Sequence, residues 1–163
     1  MYEHGVRHLC FMKNIEGLEY STMFFDDLPL LTYHKLLALR VEVFVVEQNC
    51  PYQDVDFRDV ESHHVVGYTK DGEVAATARI VSPGLRFADV SIGRVVLAKD
   101  YRGSGEGDVL MKQAIEATYQ IYGDVPIRIS AQAYLENFYA RHGFKPTGKR
   151  YLEDDIPHLE MLR

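Results

Sequence analysis

The run Val95-Val96-Leu97-Ala98-Lys99-Asp100-Tyr101-Arg102-Gly103-Ser104-Gly105-Glu106-Gly107 holds the residue types best placed to do chemistry. An apolar stretch enters a turn with three glycines at alternate positions, and an amphipathic stretch follows. A helix that begins at such a turn leaves its first amides without intrahelical acceptors, at the positive end of the helix dipole, so the turn is a cradle for an anion such as a phosphate. Gly103, Gly105 and Gly107 remove Cβ atoms that would hold a ligand away and permit positive φ, while Arg102 adds a permanent positive charge. The spacing is not the dinucleotide fingerprint Gly-x-Gly-x-x-Gly, and no Gly-Lys-Ser/Thr follows as a P-loop requires.

Arg94 interrupts an otherwise apolar stretch from Val90 to Leu97. An unpaired buried charge is costly, so Arg94 either finds a carboxylate, Glu47 being one candidate, or faces a wet cavity where it would bind the carboxylate of a ligand. His63, His64, His142 and His158 show no metal-ligand spacing, so no metal is expected. Cys10 and Cys50 are too few for a disulfide framework and read as free thiols of a reducing compartment.

The elements that must position these residues follow from periodicity and turn chemistry. Residues 18–25 alternate as a first strand, and Asp26-Asp27-Leu28-Pro29 starts a helix over 29–45 whose leucines and valines are dense enough to bury much of it. The acidic stretch 52–62 reads as a surface loop. Asp71-Gly72 between 64–70 and 73–81 signals a hairpin, and 90–97 is a strand apolar on both faces, as in the middle of a sheet. A helix over 104–122 places Leu110, Ala114, Ala117 and Ile121 on one stripe. A strand over 127–131, a short helix over 134–142 ended by Gly143, and strands over 144–152 and 157–163 complete the pattern. The expected class is mixed α/β, with helices on both faces of a mixed sheet; a doubly wound parallel fold would need a crossover helix where the hairpin stands.

At 163 residues the chain is expected to form one domain over 1–163, with 1–14 as an extension that need not be ordered. A net charge of −6 argues against a nucleic-acid binder, so phosphate recognition must be local. Charged residues interrupt the first fourteen positions, leaving no stretch for a signal peptide or membrane anchor; a cytoplasmic protein with no membrane partner is expected.

From the glycine loop onward the motifs resemble the GCN5-related N-acetyltransferase (GNAT) family, whose pyrophosphate loop Arg/Gln-x-x-Gly-x-Gly/Ala is matched by Arg102-Gly103-Ser104-Gly105-Glu106-Gly107. The block Asn137-Phe138-Tyr139-Ala140-Arg141-His142-Gly143-Phe144 is similar to that family's Asn-x-Tyr…Gly-Phe segment. Phe44 to Tyr52, Ile92-Gly93-Arg94-Val95, Ala131-Gln132-Ala133 and Asp155-Ile156-Pro157-His158 look like its bacterial ElaA-type subgroup. The resemblance implies the GNAT fold, a mixed and mostly antiparallel sheet with helices on both faces, and acetyl-CoA as cosubstrate. Its pyrophosphate would lie on residues 103–107, Ser104 and Glu106 included, helped by Arg102, with Lys99 either adding to that charge or standing as a solvated surface lysine. Its pantetheine arm would run beside Val95, Val96 and Leu97 where the neighbouring strand diverges, with Asn137 either bonding that arm or capping its helix. Homodimers are a habit of the family.

The implied reaction is acetylation of a small-molecule or amino-acid-like amine by direct attack in a ternary complex, since no dedicated nucleophile is evident. An alkylamine with a pKa of about 10.4 is neutral in only roughly one molecule in two thousand at pH 7, so a base is needed, and Glu47, His64 and His158 are the candidates. Tyr139 either protonates the departing thiolate or orients the sulfur; moving a proton from a phenol near about 10 to a thiolate near about 8.5 is uphill by roughly 2 kcal/mol unless it is concerted with bond cleavage. Two other readings stay open: a non-catalytic acyl-CoA-binding module, and a relative of acyl-homoserine-lactone synthases, faintly suggested by Arg40-Val41-Glu42-Val43-Phe44, Asp54-Val55-Asp56 and Ala78-Arg79-Ile80-Val81.

Overall fold

The computed structural model describes residues 17–163, so the expected extension and Cys10 lie outside the described residues. Seven strands, β1 (Glu19–Phe24), β2 (Ser62–Tyr68), β3 (Val74–Val81), β4 (Val90–Leu97), β5 (Ile127–Gln132), β6 (Lys145–Glu153) and β7 (Ile156–Leu162), form one sheet in the order β1-β2-β3-β4-β5-β7-β6. Every adjacent pair is antiparallel except β4 with β5. The hairpin expected at Asp71-Gly72 joins β2 to β3, with Gly72 at φ 76°.

Helices α1 (Leu30–Val41), α2 (Glu106–Tyr122) and α3 (Glu136–Arg141) pack around this sheet. β3 shows how its two faces are used, because successive side chains point to opposite sides. Ala76, Ala78 and Ile80 join the apolar core with Leu110, Met111 and Ala114 of α2, while Arg79 points the other way, to the ion pairs made by Arg40 of α1. Helices therefore cover both faces.

Several details depart from expectation. The first helix does not stop at 45: Glu42–Glu47 continue it as a π-helical segment, and on α1 only Leu36 and Arg40 are fully buried, with Leu30 and Leu31 exposed. Ile121 of the α2 stripe is 38% exposed, while Leu110, Ala114 and Ala117 are buried as expected.

The larger correction concerns residues 52–62. This stretch does run over the surface, with Gln53, Val55, Phe57, Arg58, Val60 and Glu61 exposed, but it is not solvated throughout, since Asp54, Asp59 and Ser62 turn inward and are buried. Arg40 donates from Nε to Asp54 at 2.8 Å and from Nη1 to Asp59 at 2.8 Å, and Arg79 Nη1 donates to Asp56 at 2.6 Å and to Asp59 at 2.7 Å. The aspartates are drawn in because α1 and β3 each bury an arginine on this face, and buried charge must be matched.

Two irregularities in β4 shape the site. Thr77 faces Val96 and Arg79 faces Gly93, so Ala78 alone stands opposite both Arg94 and Val95; this is a β-bulge, with Arg94 at φ 51°. On its other edge β4 pairs with β5 only through Val90 and Ser91, after which the strands part and no residue from Ile92 onward stands in register with β5.

Candidate active site

The parting of β4 from β5 opens a cavity of about 790 Å³ running from the glycine loop, along Val95, Val96 and Leu97, to the turn between β6 and β7. At one end the loop has the conformation its glycines allow. Gly103 lies at φ 74° and Gly105, the N-cap of α2, at φ 90°, and a Cβ on either would meet nothing within 4 Å, so the space above them is open. The amides of Gly103, Ser104 and Gly105 donate to no acceptor among the described residues. Gly107 differs: a Cβ there would stand in ordinary contact, 3.5 Å from Leu97 and 3.6 Å from Phe138, so this position packs toward β4 and α3. A cradle with free amides, and a strand edge freed by its neighbour, suit the diphosphate and the amide-bearing arm of coenzyme A.

The loop's side chains are otherwise engaged. Ser104 Oγ donates to the Tyr101 carbonyl at 2.7 Å, and Glu106 turns inward to accept from Tyr20 at 2.8 Å; neither side chain lines the cavity, so their contribution to a ligand is through backbone. Arg102 does line it, but donates to Glu47 at 2.7 Å and to the Leu97 carbonyl at 3.0 Å, which ties the π-helical end of the first helix to the loop. Asn137 is exposed and does not line the cavity, and no side chain caps the short α3, so the structure shows neither of the two places expected for it. It sits on the outward side of the short α3, whose inward side carries Tyr139.

Tyr139 is 8% exposed, packed edge-on against Phe138 and Phe144, and lines the cavity. Burial and the neighbouring Tyr134 push its hydroxyl far above the ordinary phenol value.

The three candidate bases separate clearly. His64 is buried on β2 with Nε2 2.9 Å from the Asp59 carbonyl and does not line the cavity; burial lowers its pKa, and its expected catalytic place is corrected to a structural one. Glu47 lines the cavity but is bound by Arg102, whose hydrogen bond holds the carboxyl below its usual range and makes it a weaker base. His158 also lines the cavity, with Nδ1 2.8 Å from the Ile156 carbonyl. A carbonyl only accepts, so Nδ1 carries the proton and Nε2 of the neutral ring keeps its lone pair.

Arg94 finds a partner and faces the cavity at once. Its Nε lies 2.8 Å from Asp54 Oδ1, its Nη2 donates to the Asp54 carbonyl at 3.2 Å, and Nη1 meets no acceptor among the described residues. The partner is Asp54 rather than Glu47.

Sequence reasoning missed Arg86, Ser130, Glu153 and Tyr151 at this end of the site. Arg86 comes from the turn after β3 and Glu153 from the end of β6, and nothing in the linear order announces that these ends meet. Among the described residues no group of three or more His, Cys, Asp or Glu side chains is arranged to hold a metal ion, and no helix is long and apolar enough to cross a membrane.

The model of the acetyltransferase (GNAT) domain matches residues 33–163. The chain belongs to the GNAT family. This GNAT protein is 40% identical over 148 residues to the protein ElaA of Escherichia coli, which covers 90% of this chain and 96% of ElaA. Its fold matches the crystal structure of E. coli ElaA with a TM-score of 0.83 at 39% identity, covering 90% of this chain and 99% of that one. An acyl-CoA N-acyltransferase from Pseudomonas aeruginosa matches with a TM-score of 0.85 at 43% identity, with the same coverages of 90% and 99%. A CoA-dependent acyl-homoserine lactone synthase shares the fold alone, with a TM-score of 0.73 at 16% identity over 90% of this chain and 82% of that one. The GNAT fold supports acyl-CoA-dependent acyl transfer.

Proposed function

We propose that this protein is an N-acetyltransferase that moves the acetyl group of acetyl-CoA to the amine of a small-molecule or amino-acid-like acceptor by direct attack in a ternary complex. One observation carries the reading: the free amides of the glycine loop and the Tyr139 side chain line the same cavity, with the unpaired edge of β4 between them. Acetyl-CoA, when bound, supplies a thioester as the electrophile. Backbone amides of 103–107 would hold its diphosphate, and main-chain groups near Val95 to Leu97 its pantetheine arm.

His158 Nε2 takes the proton of the acceptor amine, a role its fixed tautomer supports. The Tyr139 hydroxyl donates a hydrogen bond at the sulfur; with its pKa raised by burial it stays a donor throughout the working range instead of ionising. Arg94, with Nη1 still free, holds part of the acceptor. Cys50 also lines the cavity, but its thiol reaches only toward the Asp154 carbonyl, at 3.9 Å, and no base stands against it among the described residues, so direct attack needs no covalent enzyme intermediate.

Calorimetry with coenzyme A, followed by thiol release from acetyl-CoA with a panel of primary amines, tests this reading. Heat on CoA binding and amine-dependent thiol release are expected. Absence of CoA binding overturns the reading, and tight binding without release above the blank leaves a binding module in its place.

A further inference from the structure

The acceptor end of the cavity holds a second cation that the sequence did not announce. Arg86 lines the cavity beside Glu153 but uses one nitrogen: Nη2 stands 3.2 Å from each carboxylate oxygen, while Nε and Nη1 meet no acceptor among the described residues. The pair is long and partly exposed, 21% for the Arg86 side chain and 38% for Glu153, so it is weak and its free donors are available. Glu153 in turn is fixed. Its Oε2 accepts from Ser130 Oγ at 2.9 Å, that hydroxyl accepts from Tyr151 at 2.6 Å, and the Tyr151 ring stacks on His158 with centroids 6.2 Å apart. A single row of touching side chains across β5, β6 and β7 therefore joins Arg86 to the histidine read as the base.

The unspent hydrogen-bonding capacity at this end is sorted by charge. Arg86 and Arg94 both retain guanidinium donors, which match a carboxylate in geometry and charge. Asp154, whose carboxylate has no partner among the described residues, lines the same space and suits an ammonium group. We infer that the acceptor is an amine that also carries a carboxylate, an amino-acid-like zwitterion, whose carboxylate is bound by Arg86 together with Arg94 while its amino group faces His158. This rests on the acyltransfer reading above and narrows it.

The test uses the full chain with acetyl-CoA and three matched sets of probes: free amino acids, their carboxamides and their decarboxylated amines, each followed by thiol release. The acids are expected to exceed the matched amides in kcat/KM by about 10–100-fold, the range of hydrogen bonds to a charged group. Arg86→Gln is expected to bring that ratio toward one by raising KM for the acids, and Arg86→Lys to recover part of it. Equal or better use of amides or amines, an unchanged ratio in Arg86→Gln, or acetylation of amides or amines with no acid in the set acetylated would each overturn the inference. Failure of the wild type to bind CoA would instead sink the reading beneath it.

Discussion

Burial sets what Tyr139 can do. An exposed phenol is already a poor acid toward a thiolate, and the apolar packing of Phe138 and Phe144 widens that gap by disfavouring the phenolate. On the proposed reading the hydroxyl therefore contributes a hydrogen bond at the sulfur, with any proton transfer concerted with bond cleavage. Tyr139→Phe should lower kcat by about 100-fold or more, the low end of what a positioned proton donor contributes, while calorimetry shows CoA affinity within a factor of about two. Because the raised pKa keeps the phenol protonated, kcat with saturating acceptor should show no alkaline loss up to about pH 10; a loss with an ordinary phenol's midpoint would contradict this. Cys50→Ser should keep its turnover, since the thiol takes no part in direct attack. Tyr139 and the loop glycines were legible as residues because each sits in a short local pattern. The choice between His64 and His158 was not: both are strand histidines, and what separates them is the neighbouring strands and the carbonyl each ring meets.

At the scale of elements, the cradle works through backbone, so its sensitivity lies in the conformation of the turn more than in its side chains. Gly105 caps α2 at φ 90°, a region costly for any residue with a Cβ. Gly105→Ala should weaken CoA binding by about tenfold or more in calorimetry and lower stability by about 1 kcal/mol in denaturant unfolding. Ser104→Ala should leave CoA affinity nearly unchanged, because that hydroxyl serves the Tyr101 carbonyl. The hairpin at Asp71-Gly72 and the strand-loop-helix unit were legible because turn chemistry and periodicity are local. The parting of β4 from β5, which makes the slot, was reachable only through the family resemblance, since it depends on a parallel pairing between strands separated by α2. The meeting of Arg86 with Glu153 lay further out of reach, spanning 67 residues.

One face of the sheet buries a cluster of arginines and aspartates among its apolar side chains, Leu36, Val66 and Val81 included, and this is where the sequence was most misleading. Asp54, Asp56 and Asp59 look like solvated loop residues until Arg40 and Arg79, both nearly inaccessible, are known to point at them. Arg40, Asp54, Asp56 and Arg79 lie in the segments that carry the faint likeness to acyl-homoserine-lactone synthases, and here Asp54 and Asp56 stand behind Arg94. Arg40→Met would leave Asp54 and Asp59 without their shared partner in a buried setting, so it should destabilise the fold by about 3–5 kcal/mol in urea unfolding. The cluster also fixes how stability responds to acid. Burial opposes ionisation of Asp59, but hydrogen bonds and charge from Arg40 and Arg79 outweigh it and hold the carboxyl below its ordinary value; Asp56 is lowered likewise by Arg79 and Arg94 against the same opposition. A carboxyl with a depressed folded pKa binds protons more readily unfolded, so its stabilisation is complete above about pH 5 and is lost as pH falls through about 4 toward the folded values. His64, whose pKa is lowered by burial, adds an earlier loss that begins as pH falls below about 6.5, because only the unfolded ring is free to charge. Urea midpoints should therefore stay level above neutrality, decline gently below about 6.5 and steeply below about 5, with His64→Gln shrinking the first decline, the rest of which comes from His63, whose pKa burial also lowers, and leaving the second. A steep loss beginning above neutrality would show that the aspartate–arginine cluster does not govern the fold's response to pH.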